Sequence, residues 1–364
     1  MTDESVIRYC VELAEQGAGF VSPNPLVGCV IMKKGKTIAA GFHKVFGGSH
    51  AEVDAFNNAE ESVEGATLYV NLEPCSHTGK TPPCVDAIIA NKIKMVVIGM
   101  QDPNPLVAGK GIAKLRAAGI EVKVGIIEDE CKYLNRFFIK HITAGLPFIS
   151  LKIAQTIDGK IATRSSDSKW ITSEESRTIV HQTRSKYDAV LVGKNTALID
   201  NPGLDVRMVK GRNPSRIVLD SSLSLPLKLN IFKFNHSKKT FIITTENAIE
   251  ANLLKVKLLK KTGIVLIAAP VSRKTGRIDL KAALKLIAKQ GICSVLVEGG
   301  SAVFTNFIKQ KLADEIIIFI SPKILGSGIP AFDSLNINKI SQAQQWQIHS
   351  LEQSGTDIMV TLQP

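Results

Sequence analysis

Three residues in the first quarter of the chain have the types and order that hold a metal: His50, Cys75 and Cys84. Zinc favours imidazole and thiolate donors, and a catalytic zinc takes three protein ligands and leaves its fourth position to water. Glu52 stands two residues after His50. It need not bind metal; it can move protons between a water in the open position and a leaving amine. Zinc deaminases carry His-x-Glu followed by Pro-Cys-x-x-Cys. Here eight residues, Ser76 to Pro83, separate the two cysteines. Ligation is still allowed, because the loop only has to fold back to one point. Two rival readings use the same residues. One is a structural zinc with His77 as fourth donor, which leaves Glu52 without a task. The other is no metal and two buried thiols.

The second half carries a weaker signal. Ser294 to Glu298 reads as a strand, Gly299-Gly300 as a turn, and a helix starts near Ser301. Glycines at such a junction let a phosphate approach backbone N–H groups at a helix start. The same residues also suit an ordinary tight turn between strand and helix. No Gly-x-Gly-x-x-Gly follows a strand.

These groups need a scaffold, and the hydrophobic periodicity supplies one. Val6, Tyr9, Cys10 and Leu13 recur at helical spacing behind a Thr2 or Asp3 cap. Strands are expected at Leu26–Met32, Thr37–Phe42, Ala66–Leu72, Lys94–Gly99 and Glu121–Gly125, and helices at His50–Ala59, Val85–Ala90 and Ile112–Ala118. His50 thus opens one helix, and Pro82-Pro83 places Cys84 at the start of another, where the thiolate is favoured. A hairpin followed by strand–helix units implies one sheet with helices on its faces. Gly145 and Pro147 break the pattern. Strands resume at Phe148–Ala154, Ala189–Gly193, Arg216–Asp220, Thr240–Thr245, Ile264–Ala268, Ser294–Glu298 and Glu315–Ile320, with Ile358–Leu362 expected as a closing edge strand. The chain therefore reads as two α/β domains, residues 1–145 and 146–364.

Composition agrees with that division. At 364 residues the chain exceeds what one core usually serves. Hydrophobic residues at 45% and charged residues at 21% let each half bury a core. The net charge of +12 favours anionic partners, and phosphorylated small molecules satisfy it as well as nucleic acid does. Aromatic residues make up only 5%, which argues against a stacking surface for single strands. Six scattered cysteines do not make a disulfide scaffold. The start, Met1 to Glu4, is polar and acidic, and no long apolar run follows. A cytoplasmic protein with no membrane partner is expected.

The stretches Pro23-Asn24-Pro25-Leu26-Val27-Gly28, His50-Ala51-Glu52-Val53, Leu72 to Cys84 and Met100 to Pro105 resemble the bifunctional riboflavin biosynthesis deaminase/reductase family, whose own variant is the long Cys75–Cys84 loop. The resemblance runs from about residue 5 to the C-terminus. It implies a cytidine-deaminase-like three-layer domain with a mixed sheet, then a dihydrofolate-reductase-like domain. It also implies hydrolysis of the 2-amino group of a diaminopyrimidinone ribotide on zinc, followed by NADPH-dependent reduction of the ribosyl chain to ribityl. In the first site it implies that Asn24 orients the ring and Lys80 meets the phosphate; the plain alternatives are a turn residue and an exposed lysine.

In the second half Lys152, Asp158-Gly159, Trp170 to Ser173, Arg184, Asp200-Asn201-Pro202, Arg207 and Glu298 to Gly300 carry the resemblance. It implies Ala154, Trp170, Thr196, Asp200, Ser222 and Gly300 on the cofactor side. Lys152, Ser168, Arg184, Leu204, Arg207 and Glu298 fall on the substrate side, with the two arginines as phosphate partners. Trp170 as core and Asp200-Asn201-Pro202 as a mere turn are the alternatives. A homo-oligomer acting on small-molecule pyrimidine ribotides is expected.

Overall fold

The computed structural model describes residues 1–77, 82–105, 107–233, 239–273 and 275–364. It divides into two compact units, Met1–Leu146 and Pro147–Pro364.

In the first unit five strands form one sheet: β1 (Gly28–Lys33), β2 (Lys36–Phe42), β3 (Thr67–Leu72), β4 (Met95–Met100) and β5 (Glu121–Val124), in the order β2-β1-β3-β4-β5. The hairpin β1–β2 and the pair β1–β3 are antiparallel, whereas β3–β4 and β4–β5 are parallel. The sheet is therefore mixed. The helices are α1 (Asp3–Glu15), α2 (Ala51–Asn57), α3 (Cys84–Ala90), α4 (Lys110–Ala117), α5 (Glu128–Leu134) and α6 (Arg136–Ala144).

Alternation along β1 makes the layers. Cys29 and Ile31 pack with Ala51, Ala55, Val85, Ile88 and Leu115 of α2, α3 and α4. Val30 and Met32 pack with Val6, Ile7, Cys10 and Cys131 of α1 and α5. Both faces of the sheet are buried, giving three layers. Thr2 caps α1 as expected, its Oγ1 accepting from the Ser5 N–H. A Cβ at Gly28 would lie 2.1 Å from the Cys10 carbonyl oxygen, so glycine is what lets α1 rest on β1.

The second unit contains β6 (Phe148–Thr156), β7 (Lys160–Ala162), β8 (Ala189–Gly193), β9 (Ser215–Leu219), β10 (Thr240–Thr244), β11 (Val265–Ala268), β12 (Ser294–Val297), β13 (Glu315–Ser321), β14 (Ile329–Pro330), β15 (Gln347–Ser354) and β16 (Asp357–Gln363). Its helices are α7 (Glu174–Lys186), α8 (Lys194–Asp200), α9 (Glu246–Glu250), α10 (Leu253–Lys261), α11 (Leu280–Ala288) and α12 (Ser301–Lys309). The main sheet runs β11-β10-β9-β8-β12-β6-β13-β16-β15, and β7 pairs with β14 apart from it.

From β11 to β13 this sheet is parallel; the β13–β16 and β16–β15 pairs are antiparallel. The central strands β8 and β12 are buried throughout, which is why they read as unbroken apolar runs. The chain steps outward from β8 through β9, β10 and β11. It then returns to insert β12 between β8 and β6. A crevice opens where the order reverses, beyond the carboxyl ends of β8 and β12, which is where such sheets bind ligands.

One expectation needs correction. Ile358–Leu362 lies inside β16, between β13 and β15, and is not an edge. The edge on that side is β15, whose polar sequence Gln-Ile-His-Ser-Leu-Glu-Gln-Ser is mostly exposed and carries no clean alternation. Its pairing comes from the hairpin with β16, which periodicity does not report.

Candidate active sites

In the first unit, His50 stands at the N-cap position of α2 with its ring turned to the two cysteines, and Cys84 is the first residue of α3 behind Pro83. Cys75 follows β3. These three elements bring the donor atoms of His50, Cys75 and Cys84 within 4.8 Å of one another. His50 Nδ1 lies 3.2 Å from Cys84 Sγ and 3.5 Å from Cys75 Sγ. The Cys84 backbone N–H also donates to Cys75 Sγ, at 3.3 Å. The Cys75 thiol is pushed down, chiefly by the hydrogen bond from Cys84 and, against burial, by His50. Cys84 is pushed up by the same contact and by burial.

Two sulfurs and an imidazole in mutual contact are the donor chemistry that suits zinc. His77 lies on the cavity wall and outside this cluster among the described residues.

Glu52 sits on the first turn of α2 and is 3% exposed. Burial raises its pKa, with the negative charge of Cys75 adding to the effect; a hydrogen bond with Cys84 opposes it. A cavity of about 330 Å³ opens beside it, lined among others by Asn24, His43, His50, Glu52, Cys75 and Asn104. His43 is buried, with Nδ1 2.8 Å from the Ser49 carbonyl oxygen and Nε2 3.1 Å from Asn24 Nδ2. The amide donates to Nε2, so Nδ1 carries the proton and the ring is neutral, in keeping with a pKa lowered by burial. Its edge meets the His50 ring, with centroids 5.5 Å apart.

In the second unit a cavity of about 1050 Å³ occupies the crevice beyond β8 and β12. Its wall includes Lys152, Ala154, Ser168, Trp170, Arg184, Thr196, Asp200, Leu204, Arg207, Glu298 and Gly300, all expected from the sequence. Trp170 is 58% exposed on this wall, so it is not core. Asn201 does end α8 in a left-handed turn, yet both Asp200 and Asn201 line the cavity.

At the centre Arg184 grips Glu298 with two bonds, Nε to Oε1 at 2.5 Å and Nη2 to Oε2 at 2.8 Å. Its Nη1 donates to the Asp205 carbonyl oxygen at 3.0 Å. Lys152 Nζ stands 4.0 Å from the same carboxylate. Burial alone would raise the Glu298 pKa, but Arg184 and then Lys152 hold it at about 2. Burial lowers that of Lys152. His181, on α7, is held near 4 by burial and by Arg184 and Arg207, and its Nδ1 accepts from the Arg207 N–H.

The two expected phosphate partners are unequal. Arg184 is already paired with a carboxylate, while the Arg207 side chain is 57% exposed and, among the described residues, its guanidinium pairs with the partly open Asp205. Ser222 is exposed next to the wall residue Ser221, with Lys194 Nζ 3.4 Å from its Oγ. Cys84 is buried and is not among the residues lining the first cavity. Lys80 lies outside the described residues. Sequence reasoning did not single out His43, Phe138 or His181. Each is a lone residue whose role depends on segments far away in sequence, so no spacing announces it.

Two family descriptions match the chain. Residues 1–100 match the cytidine and deoxycytidylate deaminase zinc-binding region, and residues 147–360 match the RibD C-terminal domain. The fold and the sites thus define a zinc-binding deaminase joined to a reductase. The riboflavin biosynthesis protein RibD of Aquifex aeolicus is 42% identical over 98% of this chain and 97% of its own length. That of Actinobacillus pleuropneumoniae is 41% identical over 99% and 95%.

Among solved structures, the Thermotoga maritima diaminohydroxyphosphoribosylaminopyrimidine deaminase/5-amino-6-(5-phosphoribosylamino)uracil reductase aligns with a TM-score of 0.87 at 40% identity, covering 100% of this chain and 98% of that one. Acinetobacter baumannii RibD aligns with a TM-score of 0.89 at 35% identity, with the same coverage. The chain belongs to the RibD family of bifunctional riboflavin biosynthesis deaminase/reductases. Its substrates are small molecules. Among the described residues no helix is long and apolar enough to cross a membrane.

Proposed function

We propose that residues 1–145 hydrolyse the 2-amino group of 2,5-diamino-6-ribosylamino-4(3H)-pyrimidinone 5′-phosphate. Residues 146–364 then reduce the ribosyl chain of 5-amino-6-(5-phosphoribosylamino)uracil to ribityl. The observation that carries this reading is the His50, Cys75 and Cys84 donor set with the buried Glu52 beside it, in a chain whose other unit holds a large glycine-edged cavity.

His50, Cys75 and Cys84 would hold zinc, which when bound supplies a Lewis acid that makes water nucleophilic near neutral pH. Glu52 accepts the proton that water gives up and returns it to the nitrogen of the departing amine. Its raised pKa suits a group that must both take and give a proton. Asn24, held by His43, orients the pyrimidine ring, and Lys80 meets the phosphate.

In the reductase, NADPH supplies the hydride. Ala154, Trp170, Thr196, Asp200, Ser222 and Gly300 bind it. The cavity fits a phosphate-bearing cofactor: Ser301 Oγ, at the start of α12 on the wall, is buried and has no hydrogen-bond partner among the described residues, and Gly299-Gly300 leave the approach to that helix open. Lys152, Ser168, Arg184, Leu204, Arg207 and Glu298 bind the ribotide. Positioning against the cofactor does most of the work, because the open-chain imine accepts hydride with little acid–base help. The chain acts in the cytoplasm as a homo-oligomer, without nucleic acid or membrane partners. Its six free cysteines agree with a reducing compartment.

Incubation with the diaminopyrimidinone ribotide, with and without NADPH, tests the whole reading. Ammonia and the uracil ribotide should form without NADPH, and the ribityl product only with it. A chelator should stop ammonia release yet leave NADPH oxidation on the uracil ribotide intact. Deamination by exhaustively metal-free protein would sink the zinc assignment.

A further inference from the structure

Glu73 lies two residues before Cys75 and is 5% exposed. Among the described residues its carboxylate bonds to backbone N–H groups. Oε1 accepts from the N–H groups of Gly111 at 2.9 Å and Ile112 at 3.2 Å. Oε2 accepts from Asp102 at 3.1 Å and Gly109 at 3.0 Å. These four donors run from just past β4 to the first turn of α4. Between them the chain supplies Asp102, Asn104 and Val107 to the wall of the cavity that also exposes His50, Glu52 and Cys75. Asp102 passes the tie one step along, its Oδ1 accepting from the Asn104 N–H at 2.8 Å.

A second contact fixes the same distance. A Cβ on Gly111 would lie 2.2 Å from the Pro74 carbonyl oxygen, so α4 starts directly against the segment that carries Cys75. One carboxylate therefore joins the chain that presents a metal donor to the chain that forms the opposite wall.

The geometry points to Glu73 as a positioning residue for the deamination: it sets the gap between the metal-ligand segment and the wall of Asp102, Asn104 and Val107, and so the seat of the pyrimidine ribotide. The inference rests on the deaminase reading of this unit. Glu73 itself borders the cavity, but both its oxygens are turned to those four amides. Two oxygens with two acceptor directions each satisfy four N–H groups, and no other side chain of that size does this. In Glu73→Gln one oxygen is replaced by an NH₂, which turns two donors against donors and leaves two buried N–H groups without partners. The wall shifts while His50, Cys75, Cys84 and Glu52 keep their own supports.

The test measures Glu73→Gln in the full chain by zinc content, deamination kinetics and amide hydrogen exchange. Zinc content should match the wild type. KM for the aminopyrimidine ribotide should rise about ten- to a hundredfold, the equivalent of one lost charged hydrogen bond, with kcat falling far less. Exchange should quicken at Asp102, Gly109, Gly111 and Ile112 and stay slow in β1 and β3. Gly111→Ala displaces the same segment with the carboxylate intact and should raise KM in the same way; it carries the test if the glutamine variant does not fold. A wild-type KM in both variants overturns the role. So does a loss of zinc, or faster exchange throughout the unit, because either makes Glu73 a support for the metal or the fold. If the wild-type chain itself releases no ammonia, the deaminase reading falls; if it does and the variants keep its KM, only the positioning role falls.

Discussion

Arg184 and Glu298 are joined by two parallel hydrogen bonds across the floor of the second cavity, although 114 residues separate them in the chain. The pair is nearly closed off from water, at 12% and 9% side-chain exposure. A carboxylate in such a place is tolerable only because the guanidinium and Lys152 surround it.

The pair sets a pH dependence. Glu298 titrates at about 2 in the fold against 4.5 ordinarily. A carboxyl whose pKa is depressed by folding contributes stability that is full above its unfolded value and is lost as pH falls through the folded value. Glu298→Gln should therefore lower the thermal stability of the reductase unit by a constant amount above about pH 4.5, roughly the 3–5 kcal/mol of a broken buried pair. The gap from wild type should then narrow between about pH 4.5 and 2. Melting curves of the two proteins across that window decide it; a gap that persists unchanged at pH 2 would show that the pair does not depend on the charge of Glu298.

Glu52→Gln should keep zinc and lose deamination. General acid–base groups contribute roughly 10²–10⁴-fold, so ammonia release should fall at least that far. NADPH oxidation on the deaminated ribotide should be unaffected. Near-wild-type ammonia release with normal zinc content rules out the proton-transfer role.

Arg207 remains the more available guanidinium for the ribotide phosphate, since Arg184 is spent on Glu298. Arg207→Ala should reduce reductase kcat/KM for the phosphorylated substrate by about tenfold, the low end for a charged hydrogen bond whose donor is solvent-screened. The slow turnover of the dephosphorylated analogue should hardly change. Equal damage to both substrates would assign Arg207 to fold or cofactor, and Lys152 would be the next phosphate candidate.

The boundary between Leu146 and Pro147 separates two compact cores. A fragment beginning at Leu146 should fold and oxidise NADPH with deaminated substrate at a rate within about tenfold of the full chain. A folded but inactive fragment would mean that the reductase site borrows residues from the first unit.

The candidate metal site was legible because its chemistry is written locally. His50 and Glu52 are two residues apart, Cys75 and Cys84 nine, and the residue types themselves select zinc. The layers of the first unit were legible too, since alternation along β1 divides Cys29 and Ile31 from Val30 and Met32. The reductase residues were placed by resemblance, because Lys152, Arg184, Arg207 and Glu298 follow no local spacing.

Tertiary structure alone decided the rest. It paired Arg184 with Glu298, leaving Arg207 to face solvent, a choice that depends on the return of β12 beside β8. It moved Ile358–Leu362 from the sheet edge to its interior through a hairpin that periodicity cannot register. It joined Glu73 to four amides 29 to 39 residues downstream, mostly through one helix start. Residue type and near spacing fix which atoms can bind a metal or move a proton. The partner of a buried charge is fixed only when distant segments meet, because its energy depends on what replaces the lost water.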